Sequence, residues 1–369
     1  MSKKNITYVF TGNRKSKFET QNIQAKEFYY GITELDKEQY NLEIIEPKKR
    51  SNLKNIFLYV FDKLMNKFVS LPFYTLKFVN FKNLKTFINS DHIFVVNESA
   101  GCSVLPLIII NNLFKKNKIY LFVMGLYSKN LKYPNLMFLH HFFLRSIYKR
   151  FDFLFFLGKG ELRKAKQFHD SSEKLVYFPF HLDTQFWSTD NLNLSRNDQI
   201  IFVGNDGNRN VSLLIDIAKS LPSYKFLFIS QIEELKYLNI PNVRVIFGKW
   251  GSDKITDSHI REYYKKSKLC IIPLKETNQP SGQSVTLQSL SIGVPVVISK
   301  TEGFWDLKNF VDNKNIIFCE NKLDIWVDKI KNLYNDNKSL NELSTNGKSV
   351  VLENYNLELL KSRISQYIN

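Results

Sequence analysis

The chain has only three cysteines in 369 residues, Cys102, Cys270 and Cys319. No two of them have metal or redox spacing, and an odd count argues against a disulfide framework. A reducing, cytoplasmic home is therefore expected. Long hydrophobic runs are missing too. The longest, Val104–Ile110, is far short of what crosses a bilayer. The opening MSKKNITYVF has a short apolar stretch and no small-residue cleavage site, so no signal peptide is expected. No carboxylates with metal-ligand spacing accompany the tandem His140-His141, which sits in a Phe-rich helical stretch and is read as packing. Acids are scarce in one half. Residues 1–185 carry 29 Lys+Arg against 15 Asp+Glu, a net +14 that leaves +3 of the total +17 for the remainder.

A basic half seeks an anionic partner: nucleic acid, anionic lipid or a phosphorylated substrate. Residues 51–90 hold seven Phe and six Lys but one acid, Asp62. Phe interleaved with Lys on helices suits the face of an anionic membrane, which makes the protein peripheral at that surface. The plainer alternative is ordinary amphipathic helices whose Phe residues form the core. No recognised DNA or RNA module appears, which disfavours nucleic acid.

At 44% hydrophobic residues, the chain has ample material for two cores. Short apolar runs alternate with longer helical stretches. In the first half the runs are Ile6–Phe10, Leu42–Ile45, His92–Val96, Ile119–Met124, Phe153–Leu157 and Leu175–Phe178. Helices are expected between them, over Phe18–Glu38 and Phe138–Arg150 among others. Polar residues 188–198 read as a linker. The alternation then restarts with strands at Ile200–Val203, Lys225–Ile229, Val243–Phe247, Leu269–Pro273, Val294–Ile298 and Ile316–Cys319. Helices are expected over Val211–Leu221, near Ser258–Lys266, over Gln283–Ile292 and over Tyr355–Ile368. The reading is an α/β chain with parallel βαβ units in two domains. The first spans 1–187 and the second 199–354. A terminal helix over 355–369 is expected to cross back to the first. Two such sheets make a cleft, with ligands outside the carboxyl ends of the strands.

The most informative stretch is 269–299. A strand ends at Pro273, a polar loop passes Pro280 and Gly282, and a helix begins near Ser281–Gln283 and ends at Gly293. A helix start just after a strand and a glycine is an anion site, suited to a diphosphate. At 100° per residue Ser281, Ser284, Gln288 and Ser291 share one arc. A polar but uncharged stripe fits a buried face meeting a polar ligand. A plain buried helix with locally satisfied serines is the alternative.

This stretch resembles the donor-site signature of retaining glycosyltransferases of the GT-B fold, the large family 4. The matching residues are Pro280-Ser281-Gly282-Gln283, Leu287-Gln288-Ser289-Leu290 and Gly293-Val294-Pro295-Val296-Val297. The resemblance implies two Rossmann-like domains facing across a cleft and a nucleotide-sugar donor. It also implies retention of anomeric configuration, with no cofactor and no metal. It places Ser281, Gly282, Gln283 and Ser284 at the donor's phosphate and sugar, and Gln288 at the ribose. The family's paired acids are absent: Pro280 and Gln288 occupy their places. A glutamine still bonds two hydroxyls, without charge assistance.

Further matches extend the resemblance. Ile200-Ile201-Phe202-Val203-Gly204 resembles the first strand of the donor domain. Asn205 fills the usual arginine place, so Arg209 is the expected phosphate cation, with an exposed helix-start arginine as the alternative. Tyr177-Phe178-Pro179-Phe180-His181-Leu182-Asp183 resembles the segment at the domain border, with His181 a satisfied hinge residue or, as the alternative, one that takes part in the chemistry. Trp250, after Val245–Lys249, either walls the base pocket or packs on the surface. In the first domain Gly12 follows the first strand. Glu98 ends a later one, where it meets acceptor hydroxyls, acts as a base, or is simply a first-turn helix acid. The function implied is sugar transfer to a glycan or lipid-linked hydroxyl, in bacterial surface polysaccharide synthesis. A sugar-nucleotide epimerase, a non-catalytic partner of another transferase and a basic nucleic-acid binder are the rivals.

Overall fold

The computed structural model describes residues 3–47, 56–129, 133–189, 198–252 and 255–368. It divides into two compact units. One comprises Met1–Ile23, Tyr29–Pro179 and Lys361–Asn369; the other comprises Gln24–Phe28 and Phe180–Leu360. Of the expected linker, 190–197 lie outside the described residues, as do 51–55 of the basic Phe-rich segment.

The first unit is a six-stranded parallel sheet of β1 (Lys4–Val9), β2 (Tyr40–Ile45), β3 (His92–Val95), β4 (Lys118–Val123), β5 (Phe153–Phe156) and β6 (Leu175–Tyr177). Its order is β2-β1-β3-β4-β5-β6. Each apolar run expected to be a strand is one, because a parallel strand is buried on both faces and reads as continuous hydrophobics. The helices are α1 (Lys15–Glu19), α2 (Ile56–Phe68), α3 (Thr75–Phe78), α4 (Phe81–Asn89), α5 (Glu98–Asn111), α6 (Met137–Arg150) and α7 (Lys159–Phe168). Asn97 starts α5 by accepting from the Ala100 amide at 2.8 Å. One sheet face carries a ladder of rings in register: Tyr8 on Phe94 at 4.8 Å, and Phe94 on Tyr120 at 4.4 Å. Tyr367 caps this ladder edge-on to Tyr120 and Phe155.

The helix expected over Phe18–Glu38 does not form. It stops at α1, and two 3-10 turns replace the rest. Gln21 and Tyr30 have positive φ, as does Gly31, and no right-handed helix passes through such residues.

The second unit repeats the plan with β7 (Gln199–Val203), β8 (Lys225–Ser230), β9 (Val243–Phe247), β10 (Leu269–Ile272), β11 (Val296–Ser299) and β12 (Ile317–Cys319). The order is β12-β11-β10-β7-β8-β9. Counted within the unit this is the Rossmann order, with its reversal between the first and fourth strands. Its helices are α8 (Thr184–Trp187), α9 (Val211–Ser220), α10 (Glu233–Lys236), α11 (Asp257–Lys265), α12 (Gln283–Ile292), α13 (Leu323–Asn335) and α14 (Asn337–Asn354). A last helix, α15 (Leu357–Ile368), continues from the second unit's final residues into those of the first. Leu214, Ile217, Trp326, Ile330 and Leu340 of α9, α13 and α14 cover one face of the sheet. Among the described residues no helix is long and apolar enough to cross a membrane.

Candidate functional site

Ligands of open parallel sheets bind at the carboxyl ends of the strands where the order reverses. In the second unit that place lies beyond β7 and β10. Gly204 follows β7 and opens a loop that runs to Arg209. This loop is stitched to the one after β10: Arg209 bridges Leu274, and the Lys275 amide donates to Asn208 O at 2.8 Å. Asn208 also donates to Ser281 Oγ at 2.7 Å. The two loops thereby set Arg209 beside the start of α12.

Arg209 is 4% exposed. Its Nη1 stands 3.3 Å from Asp206 Oδ2, an ion pair without hydrogen-bond alignment. Nε and Nη1 have no hydrogen-bond partner among the described residues. Gly204 creates the room: a Cβ there would overlap Arg209 Nε and lie 2.9 Å from its Cδ. The start of α12 is uncapped by any side chain, because Gly282 occupies the N-cap with φ 74. A cavity of about 280 Å³ opens here, lined by Gly204, Arg209, Trp250 and Ser284 together with Phe28, Asn205, Asp206 and Val285. Trp250 is held by a 2.6 Å bond from Nε1 to Asp257, and its ring meets Phe28 edge-on at 6.2 Å.

Four of the expected donor residues, Gly204, Arg209, Trp250 and Ser284, thus share one pocket. Gly282 and Gln283 form the adjacent helix start. Ser281 precedes the N-cap and is engaged by Asn208. The stripe expected on α12 continues inward, on a helix buried on nearly every side. Gln288, one turn beyond Ser284, is fully enclosed and donates from Nε2 to Glu27 Oε1 at 3.1 Å. Glu27 also accepts from Trp187 Nε1 at 2.8 Å. Burial pushes the Glu27 carboxyl up to about 8, and the nearby Asp257 charge adds to this. Glu27 Oε2 and Gln288 Oε1 lack partners among the described residues.

Glu27 and Phe28 were not legible as site residues. They lie more than 150 positions from the loop they join, in a stretch whose pattern suggested a helix. His181 is buried and lies two residues before Asp183, the N-cap of α8.

In the first unit the strand order reverses between β1 and β3. Gly12 and Glu98 lie at these carboxyl ends, and Asn97 Nδ2 donates to Thr11 Oγ1 across the gap at 3.2 Å. Glu98 is a buried first-turn acid of α5, 3.4 Å from Lys129 Nζ. Glu161 of α7 adds a second buried carboxyl, which accepts from the Tyr127 amide at 2.8 Å. Burial, then the Glu98 charge, push Glu161 up to about 8. His140 bonds Val69 O at 2.8 Å, and His141 packs on Phe168. Among the described residues, no three His, Cys, Asp or Glu are grouped to hold a metal ion.

Residues 197–336 match the family model of group 1 glycosyl transferases. The second unit carries a group 1 glycosyltransferase domain. No curated protein matches the chain. Solved structures do, across nearly its full length. Anabaena HepE in complex with UDP and glucose is 11% identical, with 98% of each chain covered and a TM-score of 0.66. Sucrose-phosphate synthase from Thermosynechococcus elongatus is 11% identical, covering 99% of this chain and 98% of its own, with a TM-score of 0.70. A glycosyltransferase from Rickettsia africae is 12% identical, covering 100% and 98%, with a TM-score of 0.62. The fold of the chain is therefore GT-B.

Proposed function

We propose that the protein moves a sugar from a nucleotide-sugar donor to a hydroxyl of a glycan or lipid-linked acceptor, in building a surface polysaccharide. The observation that carries the donor half is Arg209. A buried guanidinium is costly unless its donors are used. Two of its nitrogens lack hydrogen bonds among the described residues, and it lines a pocket at the uncapped start of α12. A diphosphate would fill that gap, with the helix end adding positive potential. As the sugar leaves, the same groups stabilise the charge growing on the diphosphate.

Trp250 and Phe28 supply apolar walls for the base or the sugar. The acceptor is assigned to the first unit, at Gly12 and Glu98. Retention of configuration and independence of metal rest on the family resemblance, as does the surface-polysaccharide role. A cytoplasmic setting at the inner face of a membrane fits the low cysteine count and the basic first half.

A second reading, a non-catalytic partner that binds the nucleotide, is favoured by one feature. Gln288, the counterpart of the family's ribose acid, is enclosed and bonded to Glu27.

The test is a thermal-shift panel of UDP, GDP, ADP and their sugar conjugates, with UDP first because HepE binds it. Saturation at about a hundred times the dissociation constant adds roughly 2.7 kcal/mol. One nucleotide should stabilise the wild type and leave Arg209→Ala unmoved. Equal shifts in both would remove Arg209 from the site. Binding without turnover would select the second reading.

A further inference from the structure

Of the seven Phe in 51–90, Phe73, Phe78 and Phe87 are core. The segment as a whole is therefore not a surface. Part of it is, and its neighbour in space lies outside the segment. No residue of α2 is buried. Phe61 and Met65 lean on the core, while Phe57, Val60 and Leu64 form a second apolar stripe that faces solvent. Phe57 is 75% exposed.

Helix α6 repeats the arrangement. Phe143 packs inward, and Met137, Phe138 and Phe142 face out, the last two more than 60% exposed. One buried ring links the two helices. Phe73 meets Phe61 of α2 at 5.8 Å and Phe143 of α6 at 5.2 Å. His140 of α6 bonds Val69 O, just past the end of α2.

The charges are one-sided. Lys63 and Lys67 of α2 and Arg145 and Lys149 of α6 are exposed. The single acid on either helix, Asp62, is turned to the protein and accepts from the Thr75 and Leu76 amides at 2.9 and 3.0 Å. Large exposed apolar patches on one unit mark a binding surface. Cores of protein interfaces are depleted in Lys. Phe and Leu rimmed by cations, with no outward acid on either helix, instead match the depth profile of a bilayer. There rings enter the acyl boundary and ammonium groups stay among anionic headgroups.

We propose that the outer faces of α2 and α6 together dock the protein on an anionic lipid bilayer. This gives the membrane part of the proposed function a defined surface, and it stands whether or not sugar is transferred. The two exposed stripes insert, and Lys63, Lys67, Arg145 and Lys149 ring them.

The experiment is co-sedimentation of the full chain with vesicles of phosphatidylcholine alone or mixed with phosphatidylglycerol. The wild type should pellet with the mixed vesicles and be released by salt. The pair Phe57→Ser and Phe138→Ser should lower partition about tenfold or more. The pair Lys63→Glu and Lys67→Glu should cut the preference for anionic vesicles by about the same factor. All four positions are exposed, so unchanged unfolding midpoints and nucleotide responses keep the comparison clean. Wild-type protein that stays in solution with both vesicles overturns the proposal. So does a Phe pair that binds like wild type. A dimer in solution that the Phe pair dissolves, with no vesicle binding, would give this face to a second copy instead. A missing nucleotide response alongside intact vesicle binding would count against the transferase reading alone.

Discussion

Among the described residues Arg209 pairs with one acid, Asp206, and that acid opposes the proposed ligand. Asp206 is about half exposed and stands 3.3 Å from the guanidinium, so it both neutralises the cation and repels a diphosphate. A half-exposed pair of this kind contributes about 0.2–1 kcal/mol. Asp206→Asn should therefore tighten UDP binding by roughly two- to fivefold, because the guanidinium is then paired by the ligand alone. Titration calorimetry at low salt reads this directly. Weaker binding in the variant would mean that Asp206 holds Arg209 in place, or contacts the donor itself, and that its repulsion is minor.

At the scale of elements, α12 has a left-handed glycine at each end, Gly282 with φ 74 and Gly293 with φ 87. An alanine in either conformation costs about 1–2 kcal/mol. At Gly282 the new Cβ also comes within 3.1 Å of Ile272 Cγ2 and 3.3 Å of Ile298 Cδ1, so these side chains or the helix start must give slightly. Both Gly→Ala variants should lower the unfolding midpoint, but only Gly282→Ala should also lose the nucleotide response. A retained response in Gly282→Ala would detach ligand binding from this helix end. Gly293 was legible as the helix stop because a strand follows it at once. The strands were legible for a related reason: buried parallel strands leave unbroken apolar runs, and Ile200–Val203 or Phe153–Leu157 admits few other readings. What periodicity does not carry is long-range pairing. The run from Phe18 to Glu38 looks helical, yet left-handed residues at Gln21, Tyr30 and Gly31 break it. Glu27 and Phe28 then reach α12 and Trp250 through contacts that no local pattern encodes. Arg209 was legible as a cation, but its burial and its dependence on a bare Gly204 were not.

At the scale of the whole molecule, each unit encloses a carboxyl that its surroundings hold near the neutral form. Glu161 in the first and Glu27 in the second are both raised from the usual carboxylate range to about 8, chiefly by burial. In the unfolded chain both ionise near pH 4.5. Between pH 4.5 and 8 the folded units thus hold more protons than the unfolded chain, and stability falls as pH rises. Below pH 4.5 the contribution is complete; above 8 it is gone. The slope is at most about 1.4 kcal/mol per pH unit for each group. The Glu→Gln variants stay uncharged at every pH, and the amide of Glu27→Gln still offers Trp187 and Gln288 an oxygen. Urea unfolding of wild type, Glu27→Gln and Glu161→Gln across this window should show a falling wild-type stability. Each variant should flatten the fall by one proton's worth, Glu27→Gln without changing the pH response of the first unit. A wild type whose stability is level across the window, or variants that follow its slope, would mean that these carboxyls ionise inside the fold at ordinary pH. Glu27 would then meet Gln288 as a buried anion, and the enclosed end of α12 would be far more polar than its neighbours suggest.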